Sequence, residues 1–206
     1  MKKMANTVSN KLTADNSLVM LIDHQPGLLM NVKSMEPLTL KNNLLAFSNA
    51  IKVLNIPIIL TFQGLGGFGP ILPELVKIFP ESNPVDRTII NSWEDPAIRT
   101  QIEASGKKNI ILAGVSVEVC LAFPALSIQE AGYQVYAVMD ISGTWSKDIQ
   151  DWAFTRMVQK GIIPVNFTAV LMEILGDNAR SEAPAIYGAL SASWGLPTFI
   201  AEYSNK

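Results

Sequence analysis

Asp23, Arg87 and Cys120 are the side chains of this 206-residue sequence whose types could together carry out covalent hydrolysis. A thiol is a nucleophile, a carboxylate can take its proton, and a guanidinium supplies a permanent positive charge. Their spacing is informative. Asp23 closes the apolar run 17–23, Arg87 opens the segment leading to Asn91 and Trp93, and Cys120 follows the apolar run 109–115 by five residues. In a parallel sheet, ligands bind beyond the C-terminal ends of the strands, so one pocket could collect all three. Cys120 falls near the start of a helix, in a loop after Gly114. There the helix dipole and free N–H groups lower a thiol pKa and can hold an oxyanion, and a nearby Arg favours the thiolate. Each residue also has an ordinary alternative: a buried small hydrophobe for Cys120, a cap or salt bridge for Asp23, a surface charge for Arg87.

Other chemistries find less support. With one His (His24) and one Cys, the chain has no cluster with metal-ligand spacing, and no metal or other cofactor is expected. A single cysteine also excludes an intramolecular disulfide framework and a resolving partner for a thiol redox cycle. The stretch 64–69 is glycine-rich but lacks the Lys-Ser/Thr of a phosphate loop and the offsets of a dinucleotide fingerprint. It is read as a flexible loop at the pocket mouth. The net charge of -2 is scattered without a basic stripe, so no nucleic-acid partner is expected. No apolar run is long enough to cross a bilayer, and residues 1–7 lack a signal-peptide h-region. A cytoplasmic protein without membrane association is the expectation.

The elements that must position the three residues follow from apolar periodicity. Runs 17–23, 57–62, 109–115 and 134–140, with a weaker one at 162–165 and a possible short one at 87–90, are continuous and rich in β-branched residues. Such runs suit strands buried on both faces. Between them, 38–54, 96–104, 119–131 and 148–160 read as helices, with Asp95 and Pro96 opening the second and Gly106, Gly132 and Gly161 stopping the last three. Strand, helix, glycine, strand is the pattern of a doubly wound α/β domain, a mostly parallel sheet with helices on both faces. Residues 1–206 are read as one such domain. The last segment, 183–206, reads as a helix and an extended tail, apolar enough (Tyr187, Trp194, Phe199) to pack at a subunit interface.

Residues 12–192 resemble the isochorismatase-like hydrolases, and within them the YcaC-like branch. The resemblance is carried by residues 20–29 (MLIDHQPGLL), 90–93 (INSW), 114–126 (GVSVEVCLAFPAL) and 140–144 (DISGT), in that order. It implies a three-layer Rossmann-like α/β/α fold and a cysteine hydrolase acting on a small amide-like C–N bond through a thioester. Asp23 and Cys120 match the family's Asp and Cys; the basic position is Arg87, where most members have Lys and the YcaC-like branch has Arg. The resemblance further implies a non-proline cis peptide at Ser116–Val117, which would aim the Val117 and Cys120 N–H groups at one oxyanion. Val117 departs from the usual Thr. Gln25, Asn91, Trp93 and Phe123 are the candidate substrate-binding walls. The nicotinamidase-type metal site needs a His pair that this chain lacks. Ring-based homo-oligomers, octamers foremost, are implied as well. A reading from another class is a catalytically weak ligand-binding oligomer on the same fold, with Cys120 as a thiol sensor.

Overall fold

The long apolar runs become strands, and the two most central ones, residues 17–22 and 109–114, are buried along their whole length. The computed structural model describes residues 11–194. Its strands are β1 (Ser17–Ile22), β2 (Ile58–Phe62), β3 (Val85–Asp86), β4 (Asn109–Gly114), β5 (Gln134–Val138) and β6 (Ile163–Val165). All pair in parallel in the order β3-β2-β1-β4-β5-β6. The winding reverses between β1 and β4, the central pair, and a crevice opens there at their C-terminal ends. All residues of β1 and β4 are buried. Along β1 they alternate between two cores: Val19 and Leu21 face one, and Leu18, Met20 and Ile22 the other.

The helices are α1 (Pro26–Leu29), α2 (Pro37–Val53), α3 (Pro73–Ile78), α4 (Pro96–Ser105), α5 (Ala122–Glu130), α6 (Lys147–Val158), α7 (Phe167–Leu175) and α8 (Ala183–Trp194). Helices α2, α7 and α8 cover one face of the sheet and α4, α5 and α6 the other, giving the expected doubly wound α/β architecture. Local signals set the ends. Asp95 accepts from the Ala97 N–H with Pro96 behind it, and Gly106 ends α4 at φ 66°. No described helix is long and apolar enough to cross a membrane.

Two boundaries differ from the sequence reading for reasons that matter at the site. The strand expected at 87–90 is Val85–Asp86 instead. The Arg87 N–H closes the pairing on the Phe62 carbonyl, and its guanidinium then binds the Ile89 and Ile90 carbonyls, folding the chain out of the sheet. The helix expected at 119–131 opens earlier, with one wide turn at Val117–Leu121 before α5. In the C-terminal segment, Ala183, Ile186 and Leu190 of α8 are buried in the core of their own chain, over α2. The Trp194 side chain, Phe199 and the rest of the tail lie outside the described residues.

Candidate active site

The register of the central strands fixes the site. Ile22 pairs with Gly114, so Asp23 and the loop carrying Cys120 leave the sheet side by side. Gly114 permits this approach: a Cβ there would meet the Ile22 Cβ and carbonyl oxygen at 3.1 Å. Both chains turn sharply at the edge. Asp23 (φ 56°) and Ser116 (φ 65°) take the left-handed conformation that non-glycine residues rarely adopt. Long-range hydrogen bonds hold them there. The Asp23 N–H donates to the Thr61 carbonyl at 2.9 Å, and the Ser116 N–H to the Gly143 carbonyl at 2.9 Å.

Arg87 reaches across from the end of β3. Its Nη2 donates to Asp23 Oδ2 at 2.5 Å, Nε to Thr61 Oγ1 at 3.2 Å, and Nη1 to the Ile89 and Ile90 carbonyls at 2.6 and 3.0 Å. Both partners of this ion pair are 1% exposed. Cys120, 9% exposed, completes the group, close enough to the Asp23 carboxylate for each to shift the other's pKa. Asp23 Oδ1 is buried without a hydrogen-bond partner, which leaves it free to take a proton. Burial raises the Asp23 pKa above the usual carboxylate value, against the lowering effects of Arg87 and the neighbouring Cys120 thiol.

The thiol departs from the sequence expectation. Burial, followed by the negative charge of Asp23, pushes the Cys120 pKa up to about 12; Arg87 opposes this only in part. Desolvation outweighs the helix N-terminus here because the sulfur sits below the surface and beside a carboxylate. Cys120 therefore rests as a neutral thiol beside a carboxylate whose basicity is raised. That arrangement suits proton transfer during attack rather than a preformed thiolate.

The cis peptide expected at Ser116–Val117 is corrected: the described residues contain no cis peptide bond. The left-handed Ser116 makes the turn instead, and its carbonyl accepts from both the Val119 and Cys120 N–H groups at 3.0 and 2.8 Å. The Cys120 N–H is thus engaged. Val117 and Glu118, in the first turn, have no intrahelical acceptor for their N–H groups.

A cavity of about 220 Å³ opens on Asp23 and Cys120. Its apolar walls are Leu28, Phe68, Ile90, Val119 and Trp145, and Gln63 and Ser116 add neutral polar groups. The loop 64–69 does border this mouth, through Phe68. A larger groove of about 650 Å³ lies along β2 near Ile56 and Glu81, but it gathers no nucleophile with a base, so chemistry is assigned to the smaller cavity.

The four predicted wall residues are placed elsewhere. Gln25 is a buried clamp, its Nε2 donating to the Gln63 and Gly69 carbonyls and its Oε1 accepting from the Gln63 N–H, so it fixes the loop that carries Phe68. Asn91 accepts from the Trp93 N–H and donates to Glu94 and Ser127. Trp93 packs edge-on against Tyr133 under Arg99, and Arg156 lies over the Phe123 ring. Sequence reasoning missed Leu28, Gln63, Ile90, Val119 and Trp145. Trp145 follows Gly143-Thr144 just beyond β5, where the strand-end rule could have found it. The loop bearing it is tied to the nucleophile's turn by Thr144 Oγ1 donating to Glu118 at 2.5 Å.

His24 is structural. It is fully buried, with Nε2 2.9 Å from the Ile141 carbonyl, and burial lowers its pKa to about 4, so the ring is neutral and Nε2–H donates. Among the described residues, no group of three or more His, Cys, Asp or Glu could hold a metal.

Comparison with known proteins identifies relatives that share this fold. Residues 17–168 match the family model described as the isochorismatase domain. The chain is 40% identical to the probable hydrolase YcaC of Escherichia coli (strain K12) over 169 residues, 81% of each protein. Among solved structures, it is similar to YcaC from Pseudomonas aeruginosa with hexane-2,5-diol and covalent acrylamide (TM-score 0.91, 32% identity, 96% of this chain and 98% of that one). It is also similar to the Escherichia coli YcaC gene product, an octameric hydrolase of unknown specificity (TM-score 0.90, 36% identity, 95% and 97%). With a family model spanning most of its length and relatives at this identity, the chain belongs to the isochorismatase family.

Proposed function

We propose that this protein is a cysteine hydrolase of small amides, with Asp23, Arg87 and Cys120 as its triad. The observation that carries the reading is the buried cluster itself: a thiol beside a carboxylate that a buried arginine holds, both lining one small cavity. In this mechanism Asp23 takes the Cys120 proton as Sγ forms a bond to the amide carbon. The resulting oxyanion is held at the helix N-terminus, with the Val117 N–H as the free donor; the Cys120 N–H joins only by releasing the Ser116 carbonyl. Collapse breaks the C–N bond, and the leaving amine takes the proton from Asp23. Water then gives a proton to Asp23 and attacks the thioester, yielding a carboxylic acid, and the proton returns to sulfur. Amide plus water gives acid plus amine, with no net change in the enzyme.

The resting thiol counts against the sensing alternative, because redox-sensor cysteines are exposed and low in pKa. Hydroxylamine provides the test. Added during turnover, it should divert the acyl-enzyme and yield hydroxamate at the expense of acid. A hydrolysed amide that gives no hydroxamate at any concentration would point to direct attack by water.

The related octamer and the apolar segment after residue 183 support a homo-oligomer for this chain, most simply an octamer. Light scattering at micromolar concentration is expected to give a mass near eight chains. A monomer would contradict it.

A further inference from the structure

We propose that the pocket selects neutral amides with a short apolar acyl group and rejects those that carry a carboxylate. This rests on the amide-hydrolase reading above and deepens it.

The cavity's lining contains no Lys, Arg or His. Its one ionisable group besides the thiol is Asp23, whose charge repels an anion. Arg87 is the nearest candidate to attract one, yet it is 1% exposed, is not among the lining residues, and has a partner at each nitrogen: Nε on Thr61, Nη1 on Ile89 and Ile90, and Nη2 on Asp23. The remaining polar groups, Gln63 and Ser116, are neutral. A substrate carboxylate would therefore leave water without gaining a charged partner, an unfavourable exchange in an apolar site. An apolar acyl group meets the opposite situation, because Leu28, Phe68, Ile90 and Trp145 offer it surface to cover. Size points the same way. About 220 Å³ lies below the roughly 300–1,000 Å³ of typical small-molecule sites, so the acyl group must be short.

The pair butyramide and succinamate tests this, since they are alike in length and differ by one carboxylate. Ammonia release should favour butyramide in kcat/KM by at least about 100-fold. A second readout does not depend on turnover. Acrylamide and maleamate label thiols, and the rate at Cys120 for each is divided by its rate with N-acetylcysteine. The normalised ratio should favour acrylamide by at least about tenfold; a smaller ratio overturns the proposal, whatever the turnover. If that preference holds but no amide is hydrolysed, the pocket assignment stands and the amide-hydrolase reading falls. If succinamate is hydrolysed as well as butyramide, the selectivity is wrong and the hydrolase reading stands. The variant Ile90→Arg places a cation on a wall that is 56% exposed at that residue. It should shrink the normalised labelling ratio at least fivefold; an unchanged ratio would show that the wall does not meet the ligand and would sink the proposal.

Discussion

Replacement of Cys120 by alanine is expected to lower kcat for any hydrolysed amide by about 10⁴-fold or more, because removal of a nucleophile leaves only the contributions of binding and the oxyanion site. The fold should survive. The side chain is small, and the clamp between Asp23 and Arg87 does not pass through it. The variant also carries a stability signature. In the folded chain the thiol pKa is raised from about 9 to about 12, so the native state disfavours the thiolate. A raised pKa contributes stability that is fully present below the unfolded value and is lost as pH rises through the folded one. Wild type should therefore lose stability between about pH 9 and pH 12 through this group, and Cys120→Ala should not. Urea midpoints for both proteins at neutral pH and near pH 10.5 would show the difference. Equal alkaline losses together with retained turnover would remove Cys120 from the mechanism.

Arg87→Ala is expected to have the second-largest effect, and it acts on stability and rate together. Removing the guanidinium leaves Asp23 buried without a cation and takes the donors from Thr61 Oγ1 and the Ile89 and Ile90 carbonyls. Breaking a buried pair in this way costs about 3–5 kcal/mol. Arg87 also lowers the Asp23 pKa against burial, so its loss raises that pKa further. The ionised base becomes scarcer at neutral pH, and the rate should fall with it by roughly 10- to 100-fold. Arg87→Lys separates the two roles. A lysine can keep the charge beside Asp23, where the native contact runs through Nη2 alone, but it cannot also hold Thr61 and both carbonyls. Its kcat should stay within about tenfold of wild type while KM rises, because the loosened segment carries the Ile90 wall. A lysine variant as impaired in kcat as alanine would mean that the guanidinium shape, not its charge, serves the chemistry.

The sheet was legible in the sequence because strands buried on both faces need unbroken apolar runs, as in residues 17–22 and 109–114, and because glycines such as Gly106 and Gly132 mark helix ends. The three residues of the proposed triad could be picked out because they lie beyond strand ends. The rest depends on distances that spacing does not encode. Gln25 reads like a pocket residue beside Asp23, yet its side chain turns to three backbone groups on residues 63 and 69, a partnership set by how β1 and β2 lie together. Trp93 and Phe123 read as aromatic walls, but each packs under an arginine and neither lines the cavity. The thiol pKa shows the same limit. Helix position alone argued for a lowered value, and only burial beside Asp23 reversed the sign. The turn at Ser116 is left-handed rather than cis, and two hydrogen bonds to its carbonyl stabilise that geometry.

The central claim is that Cys120 carries the acyl group during turnover. Intact-protein and peptide mass spectrometry of enzyme quenched in acid within one turnover of an activated butyryl ester tests it most directly. The account predicts one butyryl group per chain, on the peptide containing Cys120, released by hydroxylamine, and absent from Cys120→Ala. Turnover of that ester with no acyl mass on Cys120 at any quench time, or the same adduct on the alanine variant, would contradict it.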